Sequence, residues 1–171
     1  MLVTLFTDAS FNRALSRGVW AAWAKADGKT IRYSGAIKEP MPDIAESELA
    51  AIANGLFAVK KKFEPPFGSK IIVATDSAEA IASLRNRNHP RVKCRFLTNY
   101  IHALAQAEGW TLDIRHVKGH KGTQTPRNAV NTWCDKECRR LMGLLLKQKE
   151  VETANANNQQ QELKLQCQAK A

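Results

Sequence analysis

No apolar run in the 171 residues approaches the roughly 20 needed for a helix to cross a bilayer, so a helical membrane span is excluded. The opening residues, Met1 to Asp8, carry neither a positive cluster nor a small-residue cleavage motif; they read as a strand and not as a secretory signal. Cysteine is scarce. Cys94, Cys134, Cys138 and Cys167 form no CxxC pair, which suits a reduced, cytoplasmic protein. No segment repeats. Acidic residues are the minority charge, 16 against 26 Lys and Arg, for a net charge of +10. The last 24 residues hold three Lys and three Glu, so residues 1–147 carry the whole excess. A folded domain of that charge suits a polyanion bound through its phosphates, and a solubilising surface is the alternative reading.

What is present is enough apolar material, 44%, for one domain with its own core. Strands are expected at Leu2–Thr7, Gly18–Lys25 and Lys29–Gly35, the last two joined by the hairpin signal Asp27-Gly28. A helix follows. Asp43 is its N-cap, Glu46 three positions on completes a capping-box pattern, and Ala45, Leu49, Ile52, Leu56, Val59 and Phe63 form one apolar face. Pro65-Pro66 and Gly68 stop it. Lys70–Thr75 is a near-continuous apolar strand, of the kind found at a sheet centre. A short helix is expected from Ser77 to Arg85, and a second amphipathic helix with Val92, Phe96, Leu97, Tyr100, Ile101 and Leu104 inward. Trp110–Val117 reads as a strand, and Arg127–Lys147 as a last helix with Val130, Trp133, Leu141, Leu144 and Leu145 inward. The Asn/Gln-rich residues 148–171 are expected as a frayed helical extension or a flexible tail. The order βββ-α-β-α-α-β-α implies an α/β domain with a mixed sheet and helices on its faces.

Two acids stand where strands are expected to end: Asp8 after the first and Asp76 after the most apolar one. Ligands bind at such ends in open α/β sheets, although an Asp beside a Ser also serves as a turn or helix cap. Helix geometry separates two glutamates. At 100° per residue Glu48 lies roughly 60° from the centre of the apolar face and Glu46 roughly 100° away. Glu46 has a sufficient role in the cap. Glu48 is directed toward the sheet with no basic neighbour in sequence, a costly place for an acid unless a cation offsets it. Asp135 sits in the first half of the last helix, beside Trp133 and Cys134.

Phe6-Thr-Asp-Ala-Ser10, Glu48-Leu-Ala-Ala-Ile-Ala-Asn-Gly-Leu56, Ala74-Thr-Asp-Ser77, His116-Val-Lys-Gly-His120 and Asn131-Thr-Trp-Cys-Asp135 resemble, in order, the blocks of type 1 ribonuclease H. The resemblance implies the RNase H-like fold: a five-stranded mixed sheet, three antiparallel strands first and then parallel ones, flanked by helices. It further implies cleavage of the RNA strand of RNA–DNA hybrids, with Asp8, Glu48, Asp76 and Asp135 as metal-binding acids and His120 assisting proton transfer or product release. Two Mg²⁺ ions would serve, with Mn²⁺ as a substitute, because the donors are all oxygen. Two ions roughly 4 Å apart would clamp the phosphodiester, one activating the water and the other stabilising the leaving 3′ oxygen. In the family's arrangement Asp8 bridges both ions, Asp135 helps hold the water-side ion, and Glu48 with Asp76 hold the other. A 2′-hydroxyl in the groove would distinguish RNA from DNA. The expected partner is the hybrid, with no membrane, and a monomer is the expected state.

The match departs from the family in its surroundings. Ala9 replaces a usual Gly, and Phe11–Arg17 replaces a Gly/Asn/Pro-rich turn. Met41-Pro-Asp43 replaces an Asn-containing stretch, Ala78 replaces a longer polar residue, and the loop from His120 to Asp135 is longer. The basic handle of many bacterial members is shortened. Arg85, Arg87, Arg91, Lys93 and Arg95 are candidates for part of its role on nucleic acid, and a solvated connector is the alternative. Ser10, Asn12, Ser77, Lys118 and Asn131 complete the candidate nucleic-acid contacts, and Lys60, Lys61 and Lys62 are explained by the helix dipole.

Three rivals stand beside this reading. A zinc module from His116, His120, Cys134 and Cys138 fails on spacing, since HxxxH and CxxxC match no common finger. A related nuclease of a mobile element or reverse transcriptase keeps the fold and changes the task. A non-catalytic nucleic-acid-binding module would keep the fold alone. Cys134 and Cys138, one turn apart, are expected to be packing residues.

Overall fold

The computed structural model describes residues 1–86, 90, 92–117 and 125–168. Nine elements follow one another: strands β1 (Leu2–Asn12), β2 (Arg17–Ala26) and β3 (Lys29–Ala36), helix α1 (Ile44–Phe63), strand β4 (Lys70–Thr75), helices α2 (Ala78–Arg85) and α3 (Val92–Ala107), strand β5 (Thr111–His116) and helix α4 (Pro126–Gln168). The five strands form one sheet in the order β3-β2-β1-β4-β5. β1–β2 and β2–β3 pair antiparallel, and β1–β4 and β4–β5 pair parallel. This is the mixed sheet the sequence implies.

The turn chemistry is as expected. Asp27 and Gly28 both take positive φ, 46° and 78°, the geometry of a two-residue primed turn. Asp43 caps α1 by accepting from the Glu46 N–H at 3.0 Å, and Glu64, in the left-handed region, ends it.

β1 differs from expectation. It does not leave the sheet at Thr7 but runs on to Asn12, paired residue for residue with β2 as far as Arg17. The Phe11–Arg17 stretch is therefore strand, tight turn and strand. Asn12 Oδ1 accepts from the Leu15 N–H, and Ser16 adopts φ 47°. Side-chain capping by Asn12 holds the turn without a glycine-rich segment.

The two faces bury different material. Val3 and Leu5 of β1, Ala22, Ala24 and Ala26 of β2, and Ile71 and Val73 of β4 pack beneath α1, α2 and α3. On the other face Phe6, Val19, Ala21 and Ala74 meet Cys134, Cys138 and Met142 of α4. Alternation along each strand sorts them.

α3 faces inward with Cys94, Thr98, Ile101 and Ala105, while Phe96 and Tyr100 stand exposed. Of the expected stripe, Leu97, Ile101 and Leu104 pack on the core and Phe96 and Tyr100 turn outward, while the small Cys94 and Ala105 are buried instead. Likewise Leu144 is exposed, and the small Cys134 and Cys138 hold the centre of the α4 contact. α4 begins beneath Thr125, whose hydroxyl accepts from the Asn128 N–H, and continues through the 148–168 segment as helix.

At Gly55, α1 lies close against the sheet. A Cβ there would lie 3.0 Å from Thr7 Cγ2 and 3.1 Å from Leu5 Cδ1, both residues fully buried. Gly55→Val is expected to destabilise the fold by about 1–3 kcal/mol through overpacking, read as a lower urea midpoint. An unchanged midpoint would show that α1 can move outward freely.

Candidate metal centre

Register places the acids. The β1–β4 parallel ladder ends at Phe6 opposite Ala74, so two residues further on each strand Asp8 and Asp76 fall side by side on the same face. Asp8 is still inside β1, opposite Ala21 of β2, and Asp76 lies just past the end of β4. Glu48, in the second turn of α1, reaches them from the helix. One carboxylate oxygen from each of Asp8, Glu48 and Asp76 lies within 4.8 Å of the others. Asp8 and Glu48 are both less than a tenth exposed.

Such crowding is electrostatically costly. Burial pushes the Asp8 carboxyl up to about 7, with the charges of Asp76 and Asp135 adding to it and hydrogen bonds from Cys138 and the Ala9 N–H opposing it. Glu48 is pushed up to about 9, again chiefly by burial and then by Asp8 and Asp76, with the Ala9 N–H opposing. Glu48 Oε2 is buried with no hydrogen-bond partner among the described residues. Three carboxylates this close, one of them with an orphan oxygen, could hold a cation, and all-oxygen donors suit a hard divalent ion.

Glu46, expected on the helix flank, is as buried as Glu48, and its backbone N–H donates to Asp43 in the α1 cap. Asp135 lies near enough to act on Asp8, yet it stands outside the three-carboxylate group: Arg139 Nε holds its Oδ1 at 2.9 Å, one helical turn on. Asn131, one turn before Asp135, is buried with its side-chain oxygen unpartnered among the described residues.

Ser77 has a local role, its Oγ accepting from the Ala80 N–H as the cap of α2. Asn12 holds the β1–β2 turn, and Ser10 lies further along β1, opposite Val19. Arg85 and Arg95 are exposed on α2 and α3. His120, Lys118, Arg87 and Arg91 lie outside the described residues, as does the side chain of Lys93.

Cys134 and Cys138 pack against β1 as expected, and Cys138 does more. Its Sγ donates to the Asp8 carbonyl at 3.2 Å, so α4 grips the backbone of one member of the carboxylate cluster. Burial, followed by the Asp8 charge, pushes the Cys138 thiol far up, and it remains a neutral donor. The sequence offered only a one-turn Cys spacing for this contact, which is too weak a signal to find it.

The RNase H family model matches residues 2–143. No curated protein matches in sequence. Among solved structures, the N-terminal RNase H domain of rv2228c from Mycobacterium tuberculosis superposes with TM-score 0.66 at 18% identity, over 86% of this chain and 98% of that one. RNase H1 from Halobacterium salinarum gives 0.62 at 17%, over 84% and 98%. LC11-RNase H1, solved in complex with an RNA/DNA hybrid, gives 0.68 at 13%, over 84% and 99%. At these identities the likeness is one of fold.

Proposed function

Since the chain belongs to the RNase H family, we propose that it hydrolyses the RNA strand of RNA–DNA hybrids at the Asp8–Glu48–Asp76 cluster, with divalent cations bound there. The observation that carries this reading is the buried triple itself: three carboxylates within 4.8 Å, one with an orphan oxygen, in a chain of net charge +10. A core built for packing alone gains nothing from such a group.

Asp8, Glu48 and Asp76 would hold the cations, with Asp135 joining on release from Arg139. When bound, two divalent cations supply charge neutralisation and activation of water for phosphodiester hydrolysis, Mg²⁺ being the natural occupant and Mn²⁺ its substitute. By the family resemblance Asp8 would be the acid shared between the two cations. Cys138 keeps its backbone in place. His120 is assigned proton transfer or product release by resemblance. The basic surface of residues 1–147 draws the duplex in, and a 2′-hydroxyl contact selects the RNA strand. All four acids are present, which favours this reading over a binding module that has lost its chemistry.

The purified protein is to be incubated with end-labelled RNA–DNA hybrid, duplex DNA and duplex RNA in Mg²⁺, Mn²⁺ or EDTA. Cation-dependent cutting of the hybrid's RNA strand alone is expected. DNA cleavage, or full activity in EDTA, would refute the reading.

A further inference from the structure

α1, α2 and α3 all lie on one face of the sheet, while α4, on the other, packs on β1, β2 and β3. Among the described residues, no helix covers the β4–β5 half of that second face. A cavity of about 320 Å³ opens there, beside the N-terminal end of α4. Phe6, Ile72 and Ala74 form its floor, and Trp23 and Val130 stand on its α4 side. Ile72 is half-buried, while its neighbours Ile71 and Val73 on the opposite face are fully buried. Trp23 meets the buried Phe6 edge-on, with ring centres 5.9 Å apart at 75°, which fixes the indole at the wall.

The rim is cationic. Lys25, Arg115 and Arg127 line it, and among the described residues no carboxylate does. Arg115 is already engaged by Asp113 at 2.7 Å, but Lys25 and Arg127 have no ion-pair partner among the described residues. An apolar, aromatic-walled floor under two free cations matches a ligand with a flat apolar body and an anionic group. The volume, at the lower end for small-molecule sites, admits a single nucleotide and not a duplex. Position argues the same way. Phe6 and Ala74 precede Asp8 and Asp76 by one pleat repeat on the same face, about 7 Å along the strands.

We propose that this cavity binds one unpaired nucleotide, its base against Phe6, Ile72 and Trp23 and its phosphate on Lys25 and Arg127. The nucleotide can come from solution or from an unpaired strand end next to the carboxylates; the chemistry recognised is the same. Stacking on an aromatic wall combined with backbone cations is the general means of holding single nucleotides.

Calorimetric titration in EDTA tests it, because without divalent ions the carboxylates repel phosphate and contribute no binding. 5′-AMP is expected to bind at least about 10-fold more tightly than ribose 5-phosphate, the difference being the base. The exposed-site double variant Lys25→Ala/Arg127→Ala, checked for an unchanged melting curve, is expected to bind AMP about 10-fold or more weakly. Equal affinity for AMP and ribose 5-phosphate would reduce the cavity to surface phosphate pairing and overturn the proposal, as would undiminished binding by the double variant. A second arm identifies the source: a hybrid with a two-nucleotide unpaired end binding more tightly than the blunt hybrid assigns the site to strand ends, and equal binding alongside AMP affinity assigns it to free nucleotide. The site stands apart from the cleavage reading. A chain that cuts hybrid but binds no mononucleotide in EDTA overturns the cavity alone.

Discussion

Asp8→Asn is expected to lower kcat/KM on RNA–DNA hybrid by roughly 1000-fold or more while making the cation-free protein more stable. The first effect follows from position. Asp8 offers an oxygen within 4.8 Å of both Glu48 and Asp76, so its loss removes one donor of the cluster, and each tenfold in rate needs only about 1.4 kcal/mol of lost transition-state stabilisation. The second follows from the same crowding seen without cations. At neutral pH a buried carboxyl that titrates near 7, under the charges of Asp76 and Asp135, is replaced by a neutral amide of nearly equal shape. Steady-state cleavage and a thermal melt in EDTA, on the same preparation, read both. A variant that loses activity and also melts lower would show Asp8 to be a packing residue, and the cleavage reading would lose its centre.

Glu48→Gln should divide in the same way, and pH makes it measurable in the native protein. Asp8 and Glu48 keep their protons in the folded, cation-free state up to about 7 and about 9, whereas the unfolded chain releases them near 3.8 and 4.5. The native state therefore binds more protons between roughly pH 4 and 9. Its stability must fall as pH rises across that window. Glu137, whose carboxyl is held near 2 by Arg140 and Ser34, works in the opposite sense but only below about pH 4.5, so the two contributions do not overlap. In EDTA the melting temperature is expected to drop steadily from pH 5 to 9, by an amount corresponding to a few kcal/mol. Glu48→Gln should remove much of the slope. Millimolar Mg²⁺ should restore stability, more at pH 8 than at pH 5, with protons released on binding. A melting temperature that rises with pH in EDTA would mean that the carboxylates are solvated and that the cluster is looser than its geometry.

The sequence disclosed the elements that have strong local grammar. Asp43 and Glu46 mark a helix start by capping chemistry, Asp27-Gly28 marks a hairpin by its positive φ values, and Lys70–Thr75 marks a central strand by an unbroken apolar run. Glu48 was separable from Glu46 because one helix has a fixed angular pitch. What stayed hidden depended on partners distant in the chain. β1 continues past Asp8 because β2 offers a ladder as far as Arg17, and nothing local to Phe11 or Asn12 says so. On α3 the aliphatic Leu97, Ile101 and Leu104 face inward as their periodicity predicts, but Phe96 and Tyr100 do not, because close packing against α1 selects the small Cys94 and Ala105. That Arg139 holds Asp135 aside and that Cys138 grips Asp8 are side-chain contacts one turn, or 130 residues, away. Neither carries a motif.

The sheet unzips at the carboxylates. Up to Phe6, β1 is laced on both sides; beyond it the β4 seam is open while the β2 seam holds for six more residues. Asp8 thus rides on a beam clamped along one edge only. The antiparallel side sets the bearing of Asp8, and the parting on the other leaves the gap facing Asp76 unbridged by the ladder; on the cleavage reading, ions, water and a phosphate would enter there.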